Sequence, residues 1–195
     1  MIKSLAKIAK EISDVSQLAS FVAQDDFLQV VNMDPPEGIV KDHPLAPGVK
    51  YIPIDKIELM LTKIFQQWYP EVLKTGQLLN SIEVTVRLHY LHPITKQWQF
   101  SDGVGAVAIQ TDKGKSAADL AAIKSNAIML ALPAAKSFAI KDAAEHIGKV
   151  FGRDLNRKDT MAFTPAYATD SVKRNLAAQK KKLLDKAKDK HREDN

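Results

Sequence analysis

Three groups of residues have types and spacings that invite chemistry. The first is Asp112-Lys113-Gly114-Lys115-Ser116, which follows an apolar run and precedes an alanine-rich one, as a phosphate-cradling loop would. Such a loop needs a glycine five positions before its Gly-Lys-Ser, so that the backbone can curl around the phosphates. Ile109 stands there, and a β-branched residue at a strand end does not replace that glycine. The simpler expectation is that Gly114 turns the chain, Ser116 caps a helix and Asp119 completes something close to a capping box. Lys113 and Lys115 then flank a helix start, where they can meet a phosphate.

The second group is His89, His92 and Asp102, whose side chains could ligate a metal. Histidines three apart share a face on a helix, but here they fall at a strand end and a Pro turn, where that spacing does not bring them together. They are expected to be turn residues, and no metal or other cofactor is expected. Asp25 and Asp26 are paired carboxylates with no base or nucleophile beside them. No catalytic constellation emerges, so the chain is not expected to be an enzyme.

The third group is cationic. In "AAKSFAIKDAAEHIGKVFGRDLNRKD", Lys136, Lys141, Lys149, Arg153, Arg157 and Lys158 spread over 23 residues. At about 100° per residue Lys141 and Lys149 lie about 80° apart on one broad face, whereas Lys136 lies about 140° from Lys141. The stripe is imperfect, and a merely solvated face has the same charge pattern.

The 195 residues include no cysteine, which excludes disulfides, thiolate metal sites and cysteine nucleophiles. The formal net charge is +5, and residues 170–195 hold nine Lys/Arg against five Asp/Glu. A basic balance of this kind favours polyanionic partners through counterion release. No apolar run approaches the roughly 20 residues of a membrane helix, and the opening MIKSLAKIAKEISD becomes charged too early for a secretory segment. The expectation is a cytoplasmic protein with no membrane contact.

The elements that must position these groups follow from periodicity. Ile2, Leu5, Ile8, Ile12 and Val15 recur at helical spacing, and a second helix is expected near Gln17 to Val31. Asn32 to Pro53 is rich in Pro and Gly and reads as a linker or irregular wrap. Ile54, Ile57, Met60, Ile64 and Trp68 trace a helix face, and "SIEVTVRLHY" alternates as a half-buried strand. "QWQF" and "VGAVAIQ" read as further strands separated by an "SDG" turn. From Ser116 to Gly152 a helix is expected, kinked or divided by Pro133. The fold class is therefore α+β: an antiparallel three- to four-stranded meander packed on a long kinked helix, with extra N-terminal helices. The expected divisions are 1–50 helical segment and linker, 51–160 core domain, and 161–195 basic tail, partly helical or disordered.

In this order, "TVRLHY", a hairpin, "FSDGVGAV" and a long helix ending in "AIKDAAEHIGKVFGRDL" resemble the single-strand annealing proteins of the Rad fifty-two family and their phage relatives. The resemblance runs from about Tyr51 to Asp159. Arg87 matches the family's arginine in an alternating strand, "SDGVG" its acidic-glycine turn, and Lys141, Ala143, Gly148 and Gly152 its basic, glycine-bounded helix. It implies that Lys141 lies in an inner DNA groove and that Lys96 belongs to an outer DNA site. Asp142 departs from the pattern, because the family often has a second basic residue there; Lys149 or Arg153 would compensate, or the DNA path would differ.

What the resemblance implies is a β-β-β-α core assembled as a homo-oligomeric ring or filament, with single-stranded DNA held by its backbone and its bases left available for pairing. Annealing in recombination or repair would need no nucleotide hydrolysis, and a strand-coating protein or exonuclease would cooperate. The candidate nucleic-acid contacts are Lys141, Lys149, Arg153, Lys136, Arg87, Lys96, Lys113, Lys115, Lys124, Arg157 and Lys158. Tyr90, Trp98 and Phe100 are aromatics able to stack bases, although core or subunit packing suits them better. The alternative is a coating or binding module for single-stranded DNA or RNA that does not anneal.

Overall fold

The computed structural model describes residues 5–193, apart from 45, 117 and 118. The chain divides into two compact units, one of residues 31–161 and one that joins residues 1–30 to residues 162–195. The fold class is α+β, as the periodicities require.

The larger unit holds a three-stranded antiparallel sheet in the order β3 (Trp68–Leu78), β4 (Ser81–Leu91), β5 (Trp98–Ala108), with α3 (Ala127–Ile147) on one face. Before the sheet come a two-stranded ribbon, β1 (Lys41–Asp42) paired with β2 (Lys50–Tyr51), and the helix α2 (Ile54–Phe65). Strand β4 follows its alternation: Val84, Val86, Leu88 and Tyr90 are buried toward α3, while Thr85, Arg87 and His89 take the opposite face. Ile57, Leu61 and Phe65 of α2 complete the core, with the Phe65 ring 4.5 Å from Tyr90 and 6.4 Å from Phe151.

Four expectations change. Trp68 does not extend α2, because Gln66 adopts a positive φ of 63° and its N–H closes on the Thr62 carbonyl; Trp68 instead opens β3. That strand escaped notice because it is an edge strand with exposed residues on both faces. It tolerates Pro70 and carries a bulge between Val72 and Lys74. Second, "SDG" is no turn: "QWQF" and "VGAVA" form one continuous strand, β5, with Asp102 opposite Arg87 and Gly103 opposite Val86. Third, the long helix begins at Ala127, eleven residues after Ser116, whose carbonyl accepts the Asp119 N–H. Pro133 lies within α3 without dividing it. Fourth, the N-terminal pattern forms a single helix, α1 (Leu5–Val31), since no Gly or Pro interrupts it.

The glycines of β5 serve the helix. A Cβ on Gly103 would lie 2.3 Å from the Ala139 carbonyl oxygen and 2.3 Å from the Ala143 nitrogen; one on Gly105 would lie 2.2 Å from the Ala135 oxygen. On the helix side, Ala127, Ala131, Ala135, Ala139 and Ala143 are buried at intervals of four. Backbone therefore meets backbone with nothing larger than a methyl between. At this separation the Asp142 carboxylate accepts the Val104 N–H at 2.9 Å, and His146 Nδ1 lies 3.1 Å from the Asp102 carbonyl oxygen. Both backbone groups are on the outer edge of β5, so α3 closes part of an edge that would otherwise invite strand addition.

In the smaller unit α1 runs beside α4 (Asp170–Glu193). Val22, Ala168 and Leu176 are buried together, with Val15, Leu18, Ala19 and Val172 packed against them. The Asp25 carboxylate accepts the N–H groups of Tyr167 and Ala168, and Asp26 takes Lys173 Nζ at 2.6 Å.

The sheet-to-helix contact makes a direct prediction. Gly103→Ala must push α3 off the sheet and is expected to lose about 2 kcal/mol or more, the range of overpacked cores. Gly38→Ala, where a Cβ meets nothing within 4 Å, is expected to change stability by less than about 0.5 kcal/mol. Urea unfolding of both variants checks the contrast.

Candidate nucleic-acid interface

The residue order after α3 shapes a groove. Gly148 is extended and packs tightly on Val31, where a Cβ would meet the Val31 oxygen at 2.3 Å. A 3-10 turn, Lys149–Phe151, then buries Val150 and Phe151, and Gly152 reverses the chain at a φ of 108°. That reversal brings Arg153, Asn156 and Arg157 back alongside β2.

Asn156 fastens the two walls. Its Oδ1 accepts the Lys50 N–H at 2.8 Å and its Nδ2 donates to the Lys50 carbonyl at 2.9 Å, so one side-chain amide pairs with β2 as a neighbouring strand would. Between these walls lies a cleft of about 420 Å³ lined by Lys50, Tyr51, Lys141, Glu145, Arg153, Asn156 and Arg157, among others. It holds four cationic side chains and one carboxylate.

Lys141 projects from α3 into this cleft. Its Nζ lies 5.0 Å from the Tyr51 ring centroid and 5.4 Å from that of Phe138, within reach of both π faces. Burial lowers the Lys141 pKa below the ordinary lysine value, with the charge of Glu145 acting in the opposite sense. Glu145 is displaced upward, first by burial and then by the nearby Asp142 charge, while Lys141, His146 and Arg157 oppose that rise. A cation desolvated in this way has lost part of its hydration and gains from an anion that restores it.

Arg153 and Arg157 are partly committed. Arg153 Nη2 donates to Asn32 Oδ1 at 3.0 Å, and Asp154 lies 3.9 Å from Arg153 and 3.5 Å from Arg157. An adjoining cleft of about 580 Å³ shares Lys50 and Arg157 and adds Lys41 and Lys149. There Asp34, Glu37, Asp42 and Asp154 balance the cations, and Lys149 is held by Asp34 at 2.8 Å. Of these two clefts, the Lys141 cleft is therefore the one with a local excess of positive charge.

The remaining candidates lie elsewhere. Arg87 is on the sheet face opposite α3, forked onto Asp102 at 2.7 and 2.8 Å and stacked 4.1 Å over Phe100. On the same face His89 pairs with Glu71 at 2.8 Å and stacks on Tyr69. His92 is instead buried, and its Nδ1 accepts the N–H groups of Ile94 and Thr95 to close the hairpin. Lys96 is exposed on that hairpin with a φ of 56°. Lys113, Lys115 and Lys124 are exposed on the segment between β5 and α3, so the first two do not flank a helix start as expected. Lys136 and Lys158 are exposed, the former on α3. Of the aromatics, Tyr90 is buried, whereas Trp98 and Phe100 are exposed on the outer sheet face.

Asp142, which looked out of place beside Lys141, is occupied with the β5 edge. Sequence reasoning missed Lys50, Tyr51, Glu145 and Asn156. The signal that could have raised Glu145 is its i, i+4 spacing from Lys141 on a helix with a glycine-bounded end; Lys50 and Asn156 are 106 residues apart and had none. Comparison with protein-family models found no match to this sequence, and comparison with curated proteins found no significant relative.

Because Asn156 is the tie between the walls, Asn156→Ala is expected to accelerate hydrogen exchange at the Lys50 amide by roughly fivefold, a loss of about 1 kcal/mol of local protection. Amides of β4 are expected to keep their protection, and exchange followed by NMR or mass spectrometry checks both.

Proposed function

We propose that this chain binds single-stranded DNA by its phosphate backbone and promotes annealing of complementary strands without nucleotide hydrolysis. The observation that carries the reading is the cleft beside α3, in which Lys50, Lys141, Arg153 and Arg157 converge around the single carboxylate of Glu145. Phosphate contacts are independent of sequence. A surface that must pair any two complementary strands therefore suits cations that grip the backbone and leave base edges free. The resemblance of the β-β-β-α order to the Rad fifty-two family supports the same conclusion.

Within this proposal the chain acts in recombination or repair, in the cytoplasm of a bacterium or a phage-infected cell. Copies associate in a ring or filament, so that successive clefts follow one strand, and a strand-coating protein or exonuclease supplies or prepares that strand. Among the described residues no helix is long and apolar enough to cross a membrane. Each cation engaged adds about 0.7 to the slope of log affinity against log salt for a single strand.

Pairing of two labelled complementary oligonucleotides, followed by energy transfer without nucleotide or metal, tests the proposal. The chain is expected to accelerate pairing, and Lys141→Ala to weaken strand binding roughly five- to tenfold while leaving the fold intact. Binding without acceleration would replace annealing by strand coating. Glu145→Gln removes the one negative charge in the cleft and is expected to tighten binding roughly two- to fivefold at neutral pH. The wild type should approach that variant on acidification, because the raised pKa of Glu145 lets it take up its proton at a higher pH than an ordinary glutamate.

A further inference from the structure

The net charge of +5 is the difference between 28 Lys/Arg and 23 Asp/Glu. Helix α4 alone holds nine of those cations and four of those carboxylates, so it carries the entire excess and the rest of the chain is balanced. Long-range attraction follows net charge and its distribution more than it follows local pairs. The Lys141 cleft thus provides contact at short range, in a unit whose 16 Lys/Arg and 14 Asp/Glu, counted over residues 31–161, give little overall pull on a polyanion.

Within α4 the charge is further concentrated. From Ser171 to Leu184 there are five cations and no carboxylate. Lys180, Lys181 and Lys182 are consecutive and all exposed; at 100° per residue they fan over about 200° of the helix circumference. Lys182 lines a shallow groove with Asp14 of α1, the one carboxylate in that groove. The helix is also held in place, unlike a free charged tail: Asp26 fixes Lys173, and Leu176 is buried with Val22 and Ala168.

An anionic lipid surface carries the same charge as a nucleic acid. An interfacial helix, however, needs an apolar face for the acyl boundary, and Val172 and Leu176 are already packed with Val22 and Leu18. A phosphodiester chain asks only for cations, which is what α4 presents.

We propose that α4 is a steering element for single-stranded nucleic acid, its lysine band attracting the phosphate backbone from a distance and setting the association rate, while the Lys141 cleft sets the dissociation rate. The identity of the ligand rests on the function proposed above; the kinetic division does not follow from it. Stopped-flow association of the full chain with a fluorescent oligothymidylate, over a series of salt concentrations, separates the two. For K180Q/K181Q/K182Q the association rate at low salt is expected to fall on the order of tenfold and its salt dependence to flatten, with dissociation unchanged. K181Q alone should give a smaller change in the same direction. Circular dichroism should be unchanged in both, since these side chains are exposed.

Unaltered association, or a loss confined to dissociation, would overturn the proposal. The double variant K50A/K141A is expected to show the reverse pattern, with faster dissociation and near-normal association. Should that variant behave as wild type while the lysine-band variant associates slowly, the cleft reading fails and steering stands. Wild-type protein that binds phosphatidylserine vesicles but not the oligonucleotide would overturn both and make α4 a membrane contact.

Discussion

The larger unit depends on the approach of two backbones. With no Cβ at Gly103 and Gly105, β5 comes within van der Waals distance of the α3 main chain at Ala135, Ala139 and Ala143. Dispersion is steep at such separations and many atoms share it. The contact also fixes the rotation of α3 about its own axis, because a shift of one residue would replace alanine with Lys136 and Ile140 in one direction, or Phe138 and Asp142 in the other, against the strand. Once that rotation is set, Asp142 and His146 fall on the β5 edge, and Lys141 and Glu145 fall on the side where β2 and the chain after Gly152 come together.

Charge distribution follows from the same geometry. The sheet face away from α3 pairs its polar and charged groups across strands, Arg87 with Asp102, His89 with Glu71 and Lys74 with Glu83. Such cross-strand pairs stabilise the sheet modestly and leave little net field. The adjoining cleft near Lys149 is similarly balanced. What distinguishes the Lys141 cleft is that four cationic side chains line it beside a single carboxylate, and that Lys141 is partly desolvated between Tyr51 and Phe138. Anion affinity is expected where several cations converge and are incompletely compensated, as they do in this cleft.

Much of this architecture was legible in the sequence, and the parts that were not have physical reasons. The period-two alternation from Ile82 to Tyr90 identified β4 because that strand is central and half buried. Strand β3 has no such face, so the residues from Trp68 to Leu78 carry no clear period. "SDG" looked like a turn because glycine after a polar pair usually is one; here glycine answers a steric demand from a helix some 35 residues later, which local pattern cannot express. Lys141, Arg153 and Arg157, which line the cleft, were singled out from charge and, for Lys141, from resemblance. Lys50, on the same cleft, was not, since the wall it belongs to is joined by Asn156 across 106 residues.

The central claim is that a single strand lies in the cleft between β2 and α3. Its most direct measurement is lysine acetylation, quantified at each position by mass spectrometry, with and without saturating oligothymidylate. Lys141, whose lowered pKa makes more of the reactive neutral amine available, should label readily in the free protein and become strongly protected with Lys50 when the strand is bound, while Lys74 on the outer sheet face keeps its reactivity. Equal labelling of Lys50 and Lys141 in both states, under conditions where the strand is demonstrably bound, would contradict the account.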